Sequence, residues 1–383
     1  MRAATLLALV PMAAALPSVH RQAPVLVPRG GNQIEGKYIV RMKSNSVSAS
    51  VESAISSIAA EADYTYARGF TGFAASLTPE ELEKLKNNPN VDYIEQDAVV
   101  TIQATQEDAP WGLARISSKE PGGTTYTYDD TAGEGTCAYI VDTGIDVEHE
   151  EFEGRATWLE NFAGDGQDED GHGHGTHTAG TVGSKTYGVS KKTNLFAVKV
   201  LDANGSGSNS GVIKGMEFVA GDAGSREGCD KGAVVNMSLG GSFSQSVNDA
   251  AAAIVDAGIF LAVAAGNEAA NAANSSPASE PKACTVGASD EKDVIAEFSN
   301  FGKLVDVFAP GVGVESTVPG GSTEKMDGTS MASPHVAGFG AYLLGKGESI
   351  DGLCDTIAKS AIDVITGAPN GTTTGLINNG EGN

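Results

Sequence analysis

Residues 137–144 read CAYIVDTG: an uncharged run from Cys137 to Val141, then Asp142 and a Thr-Gly pair. A continuous apolar run without polar alternation suits a strand covered on both faces, as in a parallel sheet flanked by helices. The same reading extends to LFAVKVLD (195–202), AVVNMSLGG (233–241), IFLAVAAGN (259–267), ACTVGAS (283–289) and VDVFAPG (305–311). GVIKGMEFVAG (211–221), SVNDAAAAIVDAG (246–258) and SMASPHVAGFGAYLLG (330–345) read as helices between or after them. The sequence therefore predicts an α/β domain with a doubly wound, mainly parallel sheet, whose ligands bind beyond the carboxyl ends of the strands.

Upstream the character changes. KYIVRMK (37–43) and FTGFAASL (70–77) read as strands, VESAISSIAAEA (51–62) as an amphipathic helix, and VDYIEQDAVV (91–100) as a closing strand. TPEELEKLKNN (78–88) is a helix with Thr78 at the cap and Glu81 three residues on. This unit, about 36–100, is expected to be a small α+β domain of ferredoxin-like type. It holds no Cys, His or Trp and is a poor place for chemistry. Residues 1–15 pair an early Arg with a short apolar stretch ending in Ala13-Ala14-Ala15, the pattern of a secretory signal peptide.

A formal charge of −24, with no run of Lys and Arg, excludes a nucleic-acid binder that works by neutralising phosphates. No segment supplies some twenty uninterrupted apolar residues for a membrane span, so a secreted, extracellular protein is expected. Four cysteines, Cys137, Cys229, Cys284 and Cys354, contain no CxxC pair; in an exported chain two disulfides are the expected use, and spacing leaves all three pairings open.

The chemistry-bearing residues fall where strands end or helices begin. Asp142, at the end of an apolar strand, is shielded enough to orient a histidine, although a strand-end Asp also commonly caps a turn. DGHGHGTHTAGT (170–181) gathers His172, His174 and His177 from a chain with six histidines. A zinc hydrolase built on these three is one reading, since imidazole is a common ligand. Ser330 enters an apolar helix, where exposed N–H groups favour a developing oxyanion; alone it would be only an N-cap. Pro334 suits an early helical position better than an interior one. Asn267 ends a strand as an amide donor or a turn residue. SLGG (238–241) and NGSGS (204–208) offer backbone against which an extended peptide can lie.

Together DTG, HGTH, SLGG, AAGN and GTSMASPHVAG, with APWGLARIS and PASEPKACTVGASD, resemble the subtilisin-like serine proteases, most closely their proteinase K branch, from Ala104 almost to the C-terminus. The resemblance implies a subtilisin-like peptidase domain over 104–383, preceded by an inhibitor-type propeptide at 16–103 that is cut between Gln103 and Ala104. It implies Asp142, His174 and Ser330 as a catalytic triad, with Asn267 and the Ser330 N–H as the oxyanion hole. Gly205, Ser206 and Gly207 with Ser238, Leu239 and Gly240 would flank the substrate, and Ala264, Ala265 and Gly266 would wall the primary pocket, favouring aliphatic or aromatic side chains.

It further implies disulfides Cys137–Cys229 and Cys284–Cys354, and a structural calcium held by the carbonyls of Pro281 and Ala283 and the carboxylate of Asp306, with no catalytic metal. Thr178 stands where some relatives carry a free Cys, so no unpaired thiol is expected. The partners implied are protein and peptide substrates and the chain's own propeptide, acting as intramolecular inhibitor and folding assistant of a monomer. A noncatalytic binder on the same fold is the remaining alternative, because fold alone does not establish activity. Of four sequons, at Asn204, Asn236, Asn274 and Asn370, Asn236 falls in an expected buried strand.

Overall fold

A computed structural model describes residues 22–27, 33–43, 48–68, 70–98 and 103–382; the expected signal segment 1–15 lies outside them. The chain divides into two compact units, residues 1–100 and 101–383.

In the first unit the elements run β1 (Val25–Leu26), β2 (Gln33–Met42), α1 (Ser48–Ile55), β3 (Ala62–Arg68), β4 (Phe70–Ser76), α2 (Pro79–Lys86) and β5 (Val91–Ala98). The sheet order β1-β5-β2-β4-β3 contains the βαββαβ ferredoxin-like pattern, with β1 added beside β5. Val40, Phe73, Leu85 and Ile94 form its core with Val51 and Ala54 of α1. The capping box of α2 is present: the Glu81 N–H donates to Thr78 Oγ1 at 3.3 Å, and the Thr78 N–H donates to Glu81 Oε2 at 2.9 Å. The helix expected over 51–62 is cut short, and ADYTYAR is a strand that the sequence reading missed. Beyond Ile55 the Ser56 and Ser57 hydroxyls donate back to the carbonyls of Glu52 and Ala54, both at 2.7 Å, competing with the helical ladder where α1 ends.

The second unit opens with β6 (Gln103–Gln106), α3 (Trp111–Ile116) and β7 (Tyr126–Asp129), with β6 and β7 paired antiparallel. The expected Gln103–Ala104 boundary therefore falls at the start of a paired strand. There follow β8 (Cys137–Asp142), β9 (Ala156–Asn161), α4 (His174–Gly183), β10 (Asn194–Lys199), α5 (Asn209–Asp222), β11 (Ala233–Met237), β12 (Gly241–Ser242), α6 (Gln245–Asp256), β13 (Phe260–Ala264) and β14 (Ser275–Ser276). The chain continues through β15 (Cys284–Ser289), β16 (Val307–Pro310), β17 (Val314–Val318), β18 (Ser322–Met326), α7 (Thr329–Lys346), α8 (Leu353–Ser360), β19 (Ile362–Asp363) and β20 (Gly375–Leu376).

All six apolar runs become strands of one sheet, ordered β19-β20-β16-β15-β13-β11-β8-β10-β9 and parallel from β20 through β9. Why β8 reads as unbroken hydrophobic is visible in its burial. Ala138 and Ile140 face a core shared with α4 and α7, whereas Cys137, Tyr139 and Val141 face one shared with α5 and α6. After β8 the chain adds β9 and β10 on one side and β11 onward on the other, so the sheet reverses direction at β8. Such a reversal opens a crevice at the carboxyl ends of the strands. The disulfides are Cys137–Cys229 and Cys284–Cys354, with no free cysteine among the described residues. Among these residues no helix is long and apolar enough to cross a membrane.

Pro334 departs from expectation. The helix begins at Thr329, beside the start expected near Ser330, but Pro334 lies inside α7 and not at its entry. A proline lacks the N–H that would bond the carbonyl four residues back, which is that of Ser330. That carbonyl accepts from Ser238 Oγ at 2.7 Å. The proline is thus tolerated where a neighbouring loop takes over its missing donor.

Candidate active site

Asp142 ends β8, and its carbonyl accepts from the N–H groups of Val200 and Leu201 at 2.8 and 3.2 Å, tying it to the end of β10. Its carboxylate is fully buried. Oδ1 accepts from the Thr143 N–H at 2.7 Å and lies 2.7 Å from His174 Nδ1. An ionised carboxylate only accepts, so Nδ1 carries the proton and Nε2 is left as the basic nitrogen. Burial lowers the His174 pKa, but the Asp142 charge and hydrogen bond, with a contribution from Asp170, leave it above the ordinary imidazole value. His174 opens α4, and Gly175 lets that helix start approach the DTG turn. A Cβ there would lie 2.1 Å from the Gly144 carbonyl oxygen, which is backbone and cannot give way.

The three clustered histidines do not share a ligand site. His174 Nδ1 is engaged by Asp142, whereas His177 is fully buried with Nε2 3.0 and 3.1 Å from the carbonyls of Val314 and Glu324. Burial pulls the His177 pKa down to about 4, so it is neutral, with Nε2–H donating into the β17–β18 hairpin. His172 is exposed and meets His174 edge-on, with ring centres 6.1 Å apart. The zinc-hydrolase reading is therefore corrected: these side chains face three different environments, and among the described residues they do not form a metal-ligating group.

Ser330 lies in the first turn of α7, and its hydroxyl donates to the Ser238 carbonyl at 3.1 Å. It lines one cleft of about 520 Å³ with His172, His174, Gly205, Ser206, Gly207, Ser238, Leu239 and Gly240. Asn267 Oδ1 accepts from both the N–H and the hydroxyl of Thr329, at 2.8 and 2.9 Å, which fixes the amide so that Nδ2 is its donor end. A Cβ built on Gly328 would lie 3.4 Å from the Ser330 nitrogen and 3.6 Å from Asn267 Nδ2. A side chain at Gly328 would thus enter the space beside both N–H donors, and the φ of +154° at this position is one that L side chains rarely adopt.

A second cavity, of about 320 Å³, also reaches Ser330 and is lined by Ala264, Gly266, Asn267 and Ala278. Ala265 does not present its side chain there. It is fully buried in a separate small core with Ala272, Ala278 and Phe308, as alternation along a strand end requires. Sequence reasoning missed Glu268, which lines this cavity and accepts from Asn300 Nδ2 at 2.8 Å. It also missed Asp170, a buried acid inside a glycine-rich loop that reads as a simple turn. The sequon residue Asn236 is fully buried, donating to Ser238 Oγ at 2.9 Å and accepting from Ser333 Oγ at 2.8 Å.

Away from the cleft, Asp306 is pinned to the start of β15: its N–H donates to the Thr285 carbonyl at 2.9 Å, and the Thr285 N–H donates to Asp306 Oδ2 at 2.8 Å. Thr285 follows Ala283 by two residues, so this carboxylate stands beside the 281–283 segment. Burial, reinforced by the charge of Asp355, pushes its pKa up to about 6. A desolvated carboxylate with a like charge as neighbour suits an added cation. The sulfurs of Cys284 and Cys354 lie within 4.8 Å of it, but their mutual bond leaves no thiolate to ligate metal. An oxygen-only set is calcium chemistry.

Comparison with known proteins agrees with this geometry. Residues 133–360 match the Subtilase family, and residues 37–103 match Peptidase inhibitor I9. The chain is 68% identical over 292 residues to Proteinase T of Parengyodontium album, covering 76% of this chain and 99% of that protein. It is 52% identical over 389 residues to the cuticle-degrading protease of Metarhizium anisopliae, covering 99% and 100%. A solved cold adapted subtilisin-like serine proteinase superposes with a TM-score of 0.67 at 38% identity, covering 71% of this chain and 99% of that one. The chain belongs to the subtilase family of serine proteases and carries an I9 inhibitor-type propeptide.

Proposed function

We propose that this subtilase is a secreted, broad-specificity endopeptidase in which Asp142, His174 and Ser330 are the triad and Asn267 completes the oxyanion hole. The observation that carries this is the meeting, at Ser330, of two adjoining spaces: the cleft that holds the Asp-fixed imidazole and the cavity lined by Asn267, whose Nδ2 lies with the Ser330 N–H beside Gly328. On substrate binding the Ser330 hydroxyl turns from the Ser238 carbonyl to His174 Nε2. It attacks the peptide carbonyl while Nε2 takes its proton. Asn267 Nδ2 and the Ser330 N–H bond the resulting oxyanion. The imidazolium then protonates the leaving amine, and water repeats the cycle on the acyl-enzyme. Losing the Asn267 donor is expected to cost about 3 to 4 kcal/mol of transition-state stabilisation, the size known from a subtilisin.

Backbone at 205–207 and 238–240 offers edges for an extended peptide, and the small residues Ala264 and Gly266 leave the second cavity open to an aliphatic or aromatic side chain. Pro281 and Ala283 would supply carbonyls and Asp306 a carboxylate to a structural calcium, whose contribution is to neutralise that buried charge. The inhibitor-type segment ends at residue 103, which supports self-cleavage between Gln103 and Ala104. Purified Ser330→Ala should remain an uncut precursor, and a serine-directed organophosphonate should label Ser330 as casein hydrolysis is lost. Efficient maturation of Ser330→Ala without another protease would overturn self-cleavage. No casein turnover after verified propeptide removal would favour a noncatalytic binder.

A further inference from the structure

Asp170 is a carboxylate without a role in the chemistry above, and it is buried beside it, only 7% exposed. Oδ1 accepts from the Thr143 hydroxyl at 2.7 Å, the Gly173 N–H at 2.8 Å and the His172 N–H at 3.2 Å. Oδ2 accepts from the hydroxyl and N–H of Thr176 at 2.6 and 2.8 Å. The Thr143 hydroxyl in turn accepts from the Gly175 N–H at 2.9 Å. Thr143 follows Asp142, and residues 173–176 surround His174, so one carboxylate binds both the strand end that carries the acid and the helix start that carries the base. Behind it, the fully buried Lys199 donates to the Thr143 carbonyl at 2.8 Å and the Leu201 carbonyl at 2.7 Å.

We propose that Asp170 is a positioning residue of the protease, holding the DTG turn and the HGTH helix in the register that sets the Asp142–His174 contact and keeping negative charge near the imidazole. The inference rests on the triad reading above. Five donors shared between two chain segments exceed what a turn requires, and small displacements of a reacting pair are costly in rate, up to about 100-fold for roughly 1 Å.

Among the described residues, the charged and titratable groups around His174 come from a few elements. Asp142 faces it from β8, Asp170 and His172 from the preceding loop, and His177 from one turn along α4. Lys199 of β10 stands behind Thr143, His335 of α7 is acted on by His177, and Glu315 of β17 acts toward Tyr187. Removing the Asp170 charge therefore takes away a group that favours the imidazolium, and the His174 pKa should fall.

The test uses mature enzyme, with variant precursors cut by trace wild-type protease. Asp170→Asn is expected to lower kcat by roughly 10- to 100-fold with KM within about threefold. The acid limb of kcat/KM should also move to lower pH. Thr143→Val, which removes the bridging hydroxyl and keeps all charges, should lower kcat without moving that limb, and it serves as the second variant if Asp170→Asn does not fold. Unchanged kcat in either folded variant, or a loss only in KM, overturns the inference. A loss that merely follows the fraction of folded protein, with an unmoved acid limb in Asp170→Asn, also overturns it. His174→Ala is measured alongside: if it retains turnover, the triad reading itself fails, whereas an inactive His174→Ala beside a fully active Asp170→Asn removes only the role of Asp170.

Discussion

His172, His174 and His177 show how six residues of one segment acquire three chemistries from their surroundings. The exposed His172 borders the cleft, His174 is oriented by a buried carboxylate, and His177 spends its donor on two carbonyls of a hairpin. His174→Ala should lower kcat by about 10⁴-fold or more, whereas His172→Ala should stay within about threefold, as read by peptide hydrolysis on titrated enzyme. The proposed mechanism requires neutral His174, and its pKa stands above the ordinary value, so kcat/KM should fall as pH drops through that raised pKa. Asp142→Asn removes the charge that raises it. Its residual activity should therefore show an acid limb at lower pH; an unmoved limb would mean that another group controls the profile. Of this region the sequence points to His174, through its expected helix start and the resemblance of HGTH to the subtilases, and the structure places it at the start of α4. The sequence does not disclose Asp170, because the value of that acid comes from Thr143, 27 residues away in the chain.

Among the elements, the six strands were legible because burial on both faces writes a mainly apolar run without polar alternation into each, even where Lys199 and Asn236 are buried within β10 and β11. The edge strand β9 and the β17–β18 hairpin were not, since one exposed face dilutes the pattern; β18 is exposed at four of its five positions. ADYTYAR failed for the same reason, as a polar edge strand of the first unit. The start of α7 was legible but its proline was misjudged, because the compensating donor, Ser238 Oγ, comes from another loop. The same helix start makes the oxyanion reading testable. Gly328 keeps open the space between the Ser330 N–H and Asn267 Nδ2, and its φ of +154° is itself unfavourable for other residues. Gly328→Ala should therefore lower kcat by about 100-fold or more while Ser330 still reacts, slowly, with organophosphonate. Normal kcat in this variant would place the oxyanion elsewhere.

At the scale of the whole molecule, the proposed site needs loops from β8, β13 and the start of α7 to hold their places at one end of the sheet, so stability and activity should fail together. Two disulfides close long stretches of this unit, with sequence separations of 92 and 70 residues, and each is expected to contribute about 4 kcal/mol by chain entropy. Beside the second lies Asp306, whose burial raises its pKa to about 6 without bound metal. A carboxyl with folded pKa above its unfolded value near 4 destabilises the fold when charged, fully so above about pH 6, and that penalty fades as pH falls toward 4. Calcium at Pro281, Ala283 and Asp306 would neutralise the charge where the penalty is present. Calcium should therefore raise Tm more at pH 8 than at pH 5, where the proton already does part of the same work and competes for the carboxylate. Asp306→Asn should be less sensitive to chelator at pH 8 because the charge to be neutralised is gone. Equal calcium effects at both pH values, or an undiminished effect in Asp306→Asn, would place the stabilising ion at other ligands.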